Sequence, residues 1–384
     1  MKMARLYVIS ILTLLILSSL ACSRKQSGVE SGVQNGNDNA NLQGAAQPGG
    51  IAGAKNASGR IFRGAIADKK VQLTLVREGN QLSGTYFYQK IGSDISLKGQ
   101  IKGEDFTLQE FDNSGKQTGE FKGKWTEPQN QPGASLEGTW SKPGGKDALN
   151  FYGTEQNIDY GLRVGTKEIK EEDKKNKYSI SVEYPELTGA TNPNVDKFNQ
   201  EVKNLATKEV GDFKKGQQEQ SAEDLPPDSE MGSDLSMDYD VVLATNELVS
   251  VIFDVSNFEA GAAHPSNYSH VINYDLKNGK VLKLSDLFKP GSDYLNTISR
   301  YAINDLKKQP EQEGVDDEWR QNGAGPKEEN YESWNISKKG LAITFDQYQV
   351  ASYAAGPQHV LVPYPALKDM VRPDGPLAPL TNKG

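Results

Sequence analysis

The chain opens with Lys2 and Arg5, an almost unbroken apolar run from Leu6 to Leu17, and then Ser19-Leu20-Ala21-Cys22. A charged start, a short apolar stretch and small residues before a cut site make a secretory export signal. The run is too short and wrongly flanked for a stable spanning helix. Cys22 is the only cysteine among 384 residues, so no intramolecular disulfide can staple whatever folds downstream. With no second apolar stretch of spanning length, everything after Cys22 is expected to be soluble and outside the cytoplasm.

A chain of 384 residues, 36% hydrophobic and 24% charged, suits two folded domains joined to a polar spacer. The formal charge is −8, and it becomes more negative once Lys2 and Arg5 leave with the signal. That balance argues against nucleic-acid binding, which needs a basic footprint. It is compatible with a cationic partner, although acidic surfaces also serve solubility alone.

After the signal (1–21), residues 22–58 are mostly Gly, Asn, Gln, Ala and Ser. Such a segment cannot bury enough apolar surface to offset its chain entropy and reads as a flexible tether. Residues 59–155 alternate short apolar strings with glycine, as in Val71 to Val76, Gly84-Thr85-Tyr86-Phe87-Tyr88 and Gly119 to Trp125. This predicts an antiparallel meander of short strands, closed as a small barrel or folded as two packed sheets. Gly-x-aromatic phrases at Gly84, Gly119, Gly123 and Gly138 suggest a repeated hairpin in which glycine permits the turn and the aromatic covers the core. Tyr86, Tyr88, Trp125 and Trp140 serve either as core or as a sugar or peptide platform.

Residues 156–384 mix their periods. Tyr178 to Tyr184 alternates as a half-buried strand ending at Pro185. Asn192-Pro193 then caps a helix carrying Val195, Phe198, Val202, Leu205 and Ala206 on one face. Gly216 to Asp234 reads as an exposed loop. Strands are expected at Tyr239 to Ala244, Leu248 to Val255 and Ser269 to Leu276, followed by a helix from about Ser292 to Lys308 capped by Ser292. A long charged loop and two last strands, Leu341 to Phe345 and Val360 to Pro363, complete an α+β domain with helices on one face of an antiparallel sheet.

Cys22 resembles the acylated cysteine of bacterial lipoproteins. Two or more acyl chains hold a soluble domain on a bilayer where one does not, so this implies anchoring without spanning. Ser23, in place of the Asp that marks inner-membrane retention, points to the outer membrane. The C-terminal region resembles the extracytoplasmic domain shared by RsiV-type, lysozyme-sensing anti-sigma factors and the non-catalytic N-terminal part of some polysaccharide deacetylases. The phrases that carry this are Tyr178 to Leu187, Asn199, Gly261-Ala262-Ala263-His264-Pro265, residues 273–280, Leu284-Ser285-Asp286-Leu287-Phe288 and residues 345–357. The resemblance implies a domain family and no reaction. Those deacetylases carry a separate metal-dependent catalytic domain, and the anti-sigma factors a cytoplasmic segment; the chain is expected to be the sensing or binding half alone.

The residues that bear chemistry point the same way. His264, His270 and His359 are the only histidines. A zinc site built on them would need two or three to converge, and His264 and His270 are separated by a turn containing Pro265. No Gly-x-Ser-x-Gly elbow accompanies Ser266, Ser269 or Ser352, and the runs Asp316-Asp317-Glu318 and Glu328-Glu329 sit in a solvated acidic loop. No cofactor and no catalytic residue is expected. Two loops remain, stiffened by Pro265 and Pro357 and released by Gly261 and Gly356, and they bear His264, Tyr268, Tyr348 and Tyr353. These residues are the candidate ligand site; burial of Tyr348 and Tyr353 as packing residues is the alternative. The reading is a lipid-anchored envelope protein whose C-terminal domain binds a lysozyme-like muramidase or peptidoglycan. A metal-assisted hydrolase of envelope polymers and a structural protein binding through the β-rich module stay open.

Overall fold

A computed structural model of the chain describes residues 59–88, 93–128, 131–145, 147–159, 162–188, 192–219, 232–309 and 317–381. The export signal, Cys22 and the expected tether lie outside these residues, as does Asp316.

Eight strands form a closed barrel: β1 (Arg60–Ile66), β2 (Lys69–Glu78), β3 (Gln81–Tyr88), β4 (Ile95–Lys102), β5 (Asp105–Phe111), β6 (Gln117–Thr126), β7 (Ser135–Ser141) and β8 (Leu149–Gln156). Each pairs antiparallel with the next, and β1 pairs with β8 to close the ring. Alternation sends Phe62, Leu73, Leu75, Leu97, Leu108 and Phe121 inside. Tyr86 and Trp125 are core residues too, and Glu110 inside the barrel takes hydrogen bonds from Tyr86 Oη (2.8 Å), Thr118 Oγ1 (2.6 Å) and Trp140 Nε1 (2.6 Å). The Gly-x-aromatic glycines lie within strands rather than at turns. Gly123 and Gly138 face each other across β6 and β7, where a Cβ on either would strike the neighbouring backbone. Glycine here permits close approach of strands in a small, strongly coiled barrel.

The following region holds a six-stranded sheet in the order β14-β13-β12-β11-β10-β9. Its strands are β9 (Arg163–Asp173), β10 (Tyr178–Thr188), β11 (Ser233–Ala244), β12 (Leu248–Phe258), β13 (Ser266–Asp275) and β14 (Lys280–Val281). β10 and β11 run parallel, the one departure from an antiparallel sheet. They are separated in sequence by helix α1 (Val195–Glu219), which crosses one face. Its Phe198, Val202, Ala206 and Phe213 share a core with Val182, Met237, Tyr239, Phe253 and Tyr274 of the sheet. Fully burying each such aliphatic or aromatic side chain contributes roughly 1.5–3 kcal/mol. Asn192 precedes α1 as a turn, its side chain accepting from Asn194 N at 2.9 Å, so Pro193 lies ahead of the helix rather than in its first turn. Pro185 does not end its strand, because at that position β10 pairs only with β9.

A second, three-stranded sheet consists of β15 (Trp334–Ile336), β16 (Gly340–Phe345) and β17 (Gln358–Pro363). It shares a separate core with helix α2 (Tyr294–Leu306). Asp293, not Ser292, holds the N-cap position of α2, while Ser292 Oγ donates to the Lys289 carbonyl. The two main helices therefore serve two different cores. No helix of the described residues is long and apolar enough to cross a membrane.

Barrel and α+β region are joined by a polar interface within one compact unit. Arg63 of β1, nine-tenths buried, bonds Asp238 Oδ1 (2.9 Å), Glu183 Oε2 (2.8 Å) and the Tyr239 carbonyl, with its guanidinium 3.7 Å above the Tyr239 ring. Lys70 of β2 pairs with Asp238 (2.8 Å) and Glu183 (2.9 Å). After β8 the chain runs alongside the end of β11, where Ala244 N donates to the Asn157 carbonyl and Asp159 N to the Ala244 carbonyl.

Candidate functional site

Alternation along the six-stranded sheet creates the site. β11 turns Leu235, Met237, Tyr239 and Val241 toward α1, which places Ser236, Asp238 and Asp240 on the other face. Asp254 of β12 lies opposite Asp238, and Ser269 of β13 lies opposite Asp254. The barrel and the three-stranded sheet stand over this polar face. Between them is a cleft of about 490 Å³ whose walls include Lys70, Asp238, Asp254, Asn267, Asp346 and Gln347. A second lobe of about 400 Å³ shares Asp254, Thr344 and Pro357 and reaches Asp240, His359 and the barrel segment Gln131 to Gly133.

The carboxylates differ in their surroundings. Burial works against the charge of Asp238, but the guanidinium of Arg63 and the ammonium of Lys70 outweigh it and hold this group below its ordinary value. Asp240 keeps only the Gln156 amide as a hydrogen-bond donor (2.9 Å); burial, opposed by Arg63 and reinforced by Asp254, pushes it up to about 7. Asp254 accepts no hydrogen bond from any described residue. Burial and then the charges of Asp238 and Asp346 push it up to about 6. Asp346 is fixed by Ser269, whose hydroxyl (2.5 Å) and backbone N–H (3.1 Å) both donate to it.

Three rings stand beside the cleft wall that Asn267 and Gln347 form. His264 stacks on Tyr353 with centroids 4.0 Å apart, and Tyr348 lies 5.7 Å from Tyr353. His264 Nδ1 donates to the Pro265 carbonyl (3.0 Å), leaving Nε2 to accept from the Tyr348 hydroxyl at 3.4 Å. Tyr353 Oη donates to the same Pro265 carbonyl (3.0 Å) and accepts from Asn267 Nδ2 (2.9 Å). Asn267 also donates to Gln347 Oε1 (3.1 Å), and both amides line the cleft, which ties the rings to its wall. Tyr348 has 56% of its surface exposed and a φ of +68°, with its carbonyl accepting from Trp319 Nε1. Gly261 (φ +91°) and Gly356 (φ +69°) bend the two loops that deliver these rings.

His264, Pro265, Tyr348 and Tyr353 are thus in mutual contact, flanked by Gly261 and Gly356. Tyr268 is itself among the residues lining the cleft, while its hydroxyl donates to Glu209 Oε2 of α1 (2.8 Å) and its ring meets that of His270 edge-on at 5.4 Å. The three histidines do not converge. His270 Nε2 lies 2.9 Å from Glu209 Oε1, and His359 Nδ1 3.3 Å from Thr344 Oγ1. Among the described residues no three of His, Cys, Asp or Glu are placed to hold a metal ion. Asp238, Asp240 and the barrel residues Arg63 and Lys70 were not visible as site residues in the sequence. The repeat Asp234-x-Ser236-x-Asp238-x-Asp240 on a strand with an apolar opposite face is the signal that marks them.

Residues 171–267 match a family model described as Deacetylase PdaC, and residues 285–365 match one described as a protein of unknown function, DUF3298. A peptidoglycan-N-acetylmuramic acid deacetylase PdaC of Bacillus subtilis (strain 168) is 29% identical over 195 residues, covering 51% of this chain and 39% of the relative. The chain therefore spans about two fifths of that relative's length. Among solved structures, a DUF3298 family member from Bacteroides fragilis NCTC 9343 has a TM-score of 0.43 at 18% identity, covering 60% of this chain and 100% of its own. A DUF3298 family protein from Pseudomonas aeruginosa PAO1 has a TM-score of 0.40 at 17% identity, covering 55% and 95%. The region after the barrel is thus similar in sequence to a PdaC-type segment followed by a DUF3298 segment, and the barrel strands precede both matches.

Proposed function

We propose that this chain is a non-catalytic protein of the cell envelope that holds peptidoglycan in the cleft, anchored to a bilayer, with the outer membrane preferred, through acylated Cys22. The observation that carries the reading is the cluster of His264, Tyr348 and Tyr353 hydrogen-bonded, through Tyr353, to Asn267 and Gln347 in the wall of a cleft lined by amides, hydroxyls and carboxylates. Open aromatic faces stack on sugar rings, and convergent polar groups fix their hydroxyls and amides. Similarity to a relative named for peptidoglycan supplies the polymer. The separate engagement of His264, His270 and His359 supports binding rather than metal-assisted hydrolysis.

Co-sedimentation with purified, insoluble peptidoglycan tests this. The mature chain pellets with the polymer, and Tyr348→Ala weakens retention about tenfold, roughly 1.4 kcal/mol; a chain that stays in the supernatant contradicts the reading. Intact mass of the exported protein tests the anchor, which requires acyl groups on Cys22. A second reading, capture of a cationic lysozyme-like muramidase, is favoured by the unpartnered Asp254 and the net charge of −8. Retention of lysozyme by the chain without retention of peptidoglycan would select it.

A further inference from the structure

Where the barrel meets the six-stranded sheet there is a recess of about 170 Å³, lined by Arg63, Lys70, Tyr152, Thr154, Asp240 and Asp254 among others. Asp254 also lines both lobes of the cleft, so the recess continues from it. The rings of His264, Tyr348 and Tyr353 line neither the recess nor the two lobes of the cleft. Arg63 is nine-tenths buried, and its Nη atoms are taken by Asp238, Glu183 and the Tyr239 carbonyl. Its Nε, however, has no hydrogen-bond partner among the described residues. That Nε is sealed from solvent, so the donor the recess offers is Lys70 Nζ, which lines it and has three N–H groups for its two partners, Asp238 and Glu183. Tyr152 adds an aromatic ring with 53% of its surface open.

The mixture of charges decides what chemistry fits. A phosphate or other anion would face Asp240 and Asp254, while a metal cation would face Arg63 and Lys70. A neutral group that both accepts and donates meets neither repulsion: a hydroxyl oxygen can accept from Lys70 Nζ while its hydrogen goes to a carboxylate. We propose that the recess is a second sugar subsite, in which a neutral, hydroxyl-rich residue of a glycan lodges between barrel and sheet. This rests on the peptidoglycan reading and extends it: the glycan runs from the rings beside the cleft, past Asp254, to the barrel, so that the barrel is a wall of the site. Lys70 Nζ and the carboxylates fix the hydroxyls, Thr154 adds a hydroxyl, and Tyr152 offers a stacking face.

The test is calorimetric titration of the mature chain with a soluble peptidoglycan glycan several sugars long. Tyr152→Ala and Thr154→Val are compared with Tyr348→Ala and the parent, with the fold of each checked by circular dichroism. Tyr152 is exposed and Thr154→Val conserves shape, so two independent variants probe the recess without breaking the Arg63 ion pairs. Each recess variant is expected to bind fivefold or more weakly than the parent. If both bind as the parent does while Tyr348→Ala binds weakly, the second subsite is overturned and the peptidoglycan reading stands. If the parent itself does not bind, both fall.

Discussion

Asp240 and Asp238 are two residues apart on one face of one strand, yet their environments drive them in opposite directions. Arg63 and Lys70 pair with Asp238, whereas burial, reinforced by the charges of Asp254 and Asp238, pushes Asp240 up to about 7 from an ordinary value of 3.8. In the unfolded chain Asp240 loses its proton near pH 4; in the folded chain it keeps it until about pH 7. Across that window the native state binds more protons, so the contribution of this group to stability falls as pH rises. Asp254, pushed up to about 6, acts in the same direction. Thermal unfolding from pH 5 to pH 8 should therefore show a decline in Tm that Asp240→Asn reduces. An Asp240→Asn profile as steep as the parent's would show that this carboxyl ionises near its ordinary value.

At the scale of elements, most of the fold was legible and its details turned on local exceptions. The period-two strings of the first region gave a closed barrel, because apolar alternation over consecutive short strands leaves few other ways to bury one face and pair every edge. The glycines within those strings read as turns because sequence does not show how tightly neighbouring backbones approach. Helix α1 was expected to stop before Gly216 and instead reaches Glu219: one glycine does not end a helix whose Val210 and Phe213 are still buried. Gly211 lies in α1 with open space where a Cβ would stand. Gly211→Ala is accordingly expected to stabilise the chain by about 0.5–1 kcal/mol, seen as a raised denaturation midpoint; an unchanged or lowered midpoint would mean that the helix is not intact there. The reading of Tyr268 as a loop residue has a similar origin. Beginning β13 at Ser269 leaves Tyr268 in a loop beside His264, whereas the strand begins at Ser266, and alternation then puts Asn267 and Ser269 on the cleft face and Tyr268 and His270 against α1.

Across the whole molecule, the site is assembled from parts that sequence proximity does not connect. Residues 261–268 and 348–356 carry their own signals of glycine, proline and aromatics, and these segments meet each other beside the cleft. The floor needs β11 and β12 paired in register, and one wall needs the barrel locked down by Arg63 and Lys70, contacts between residues more than a hundred positions apart. No periodicity reports which barrel face will dock on which sheet face. The most direct measurement is amide hydrogen exchange on the mature chain with and without soluble peptidoglycan glycan. Protection concentrated in residues 261–270 and 344–358, in β11 and β12, and in β8 of the barrel is the predicted result. Exchange unchanged in those segments under saturating glycan, or protection confined to β4–β6 of the barrel, would contradict a glycan-holding cleft.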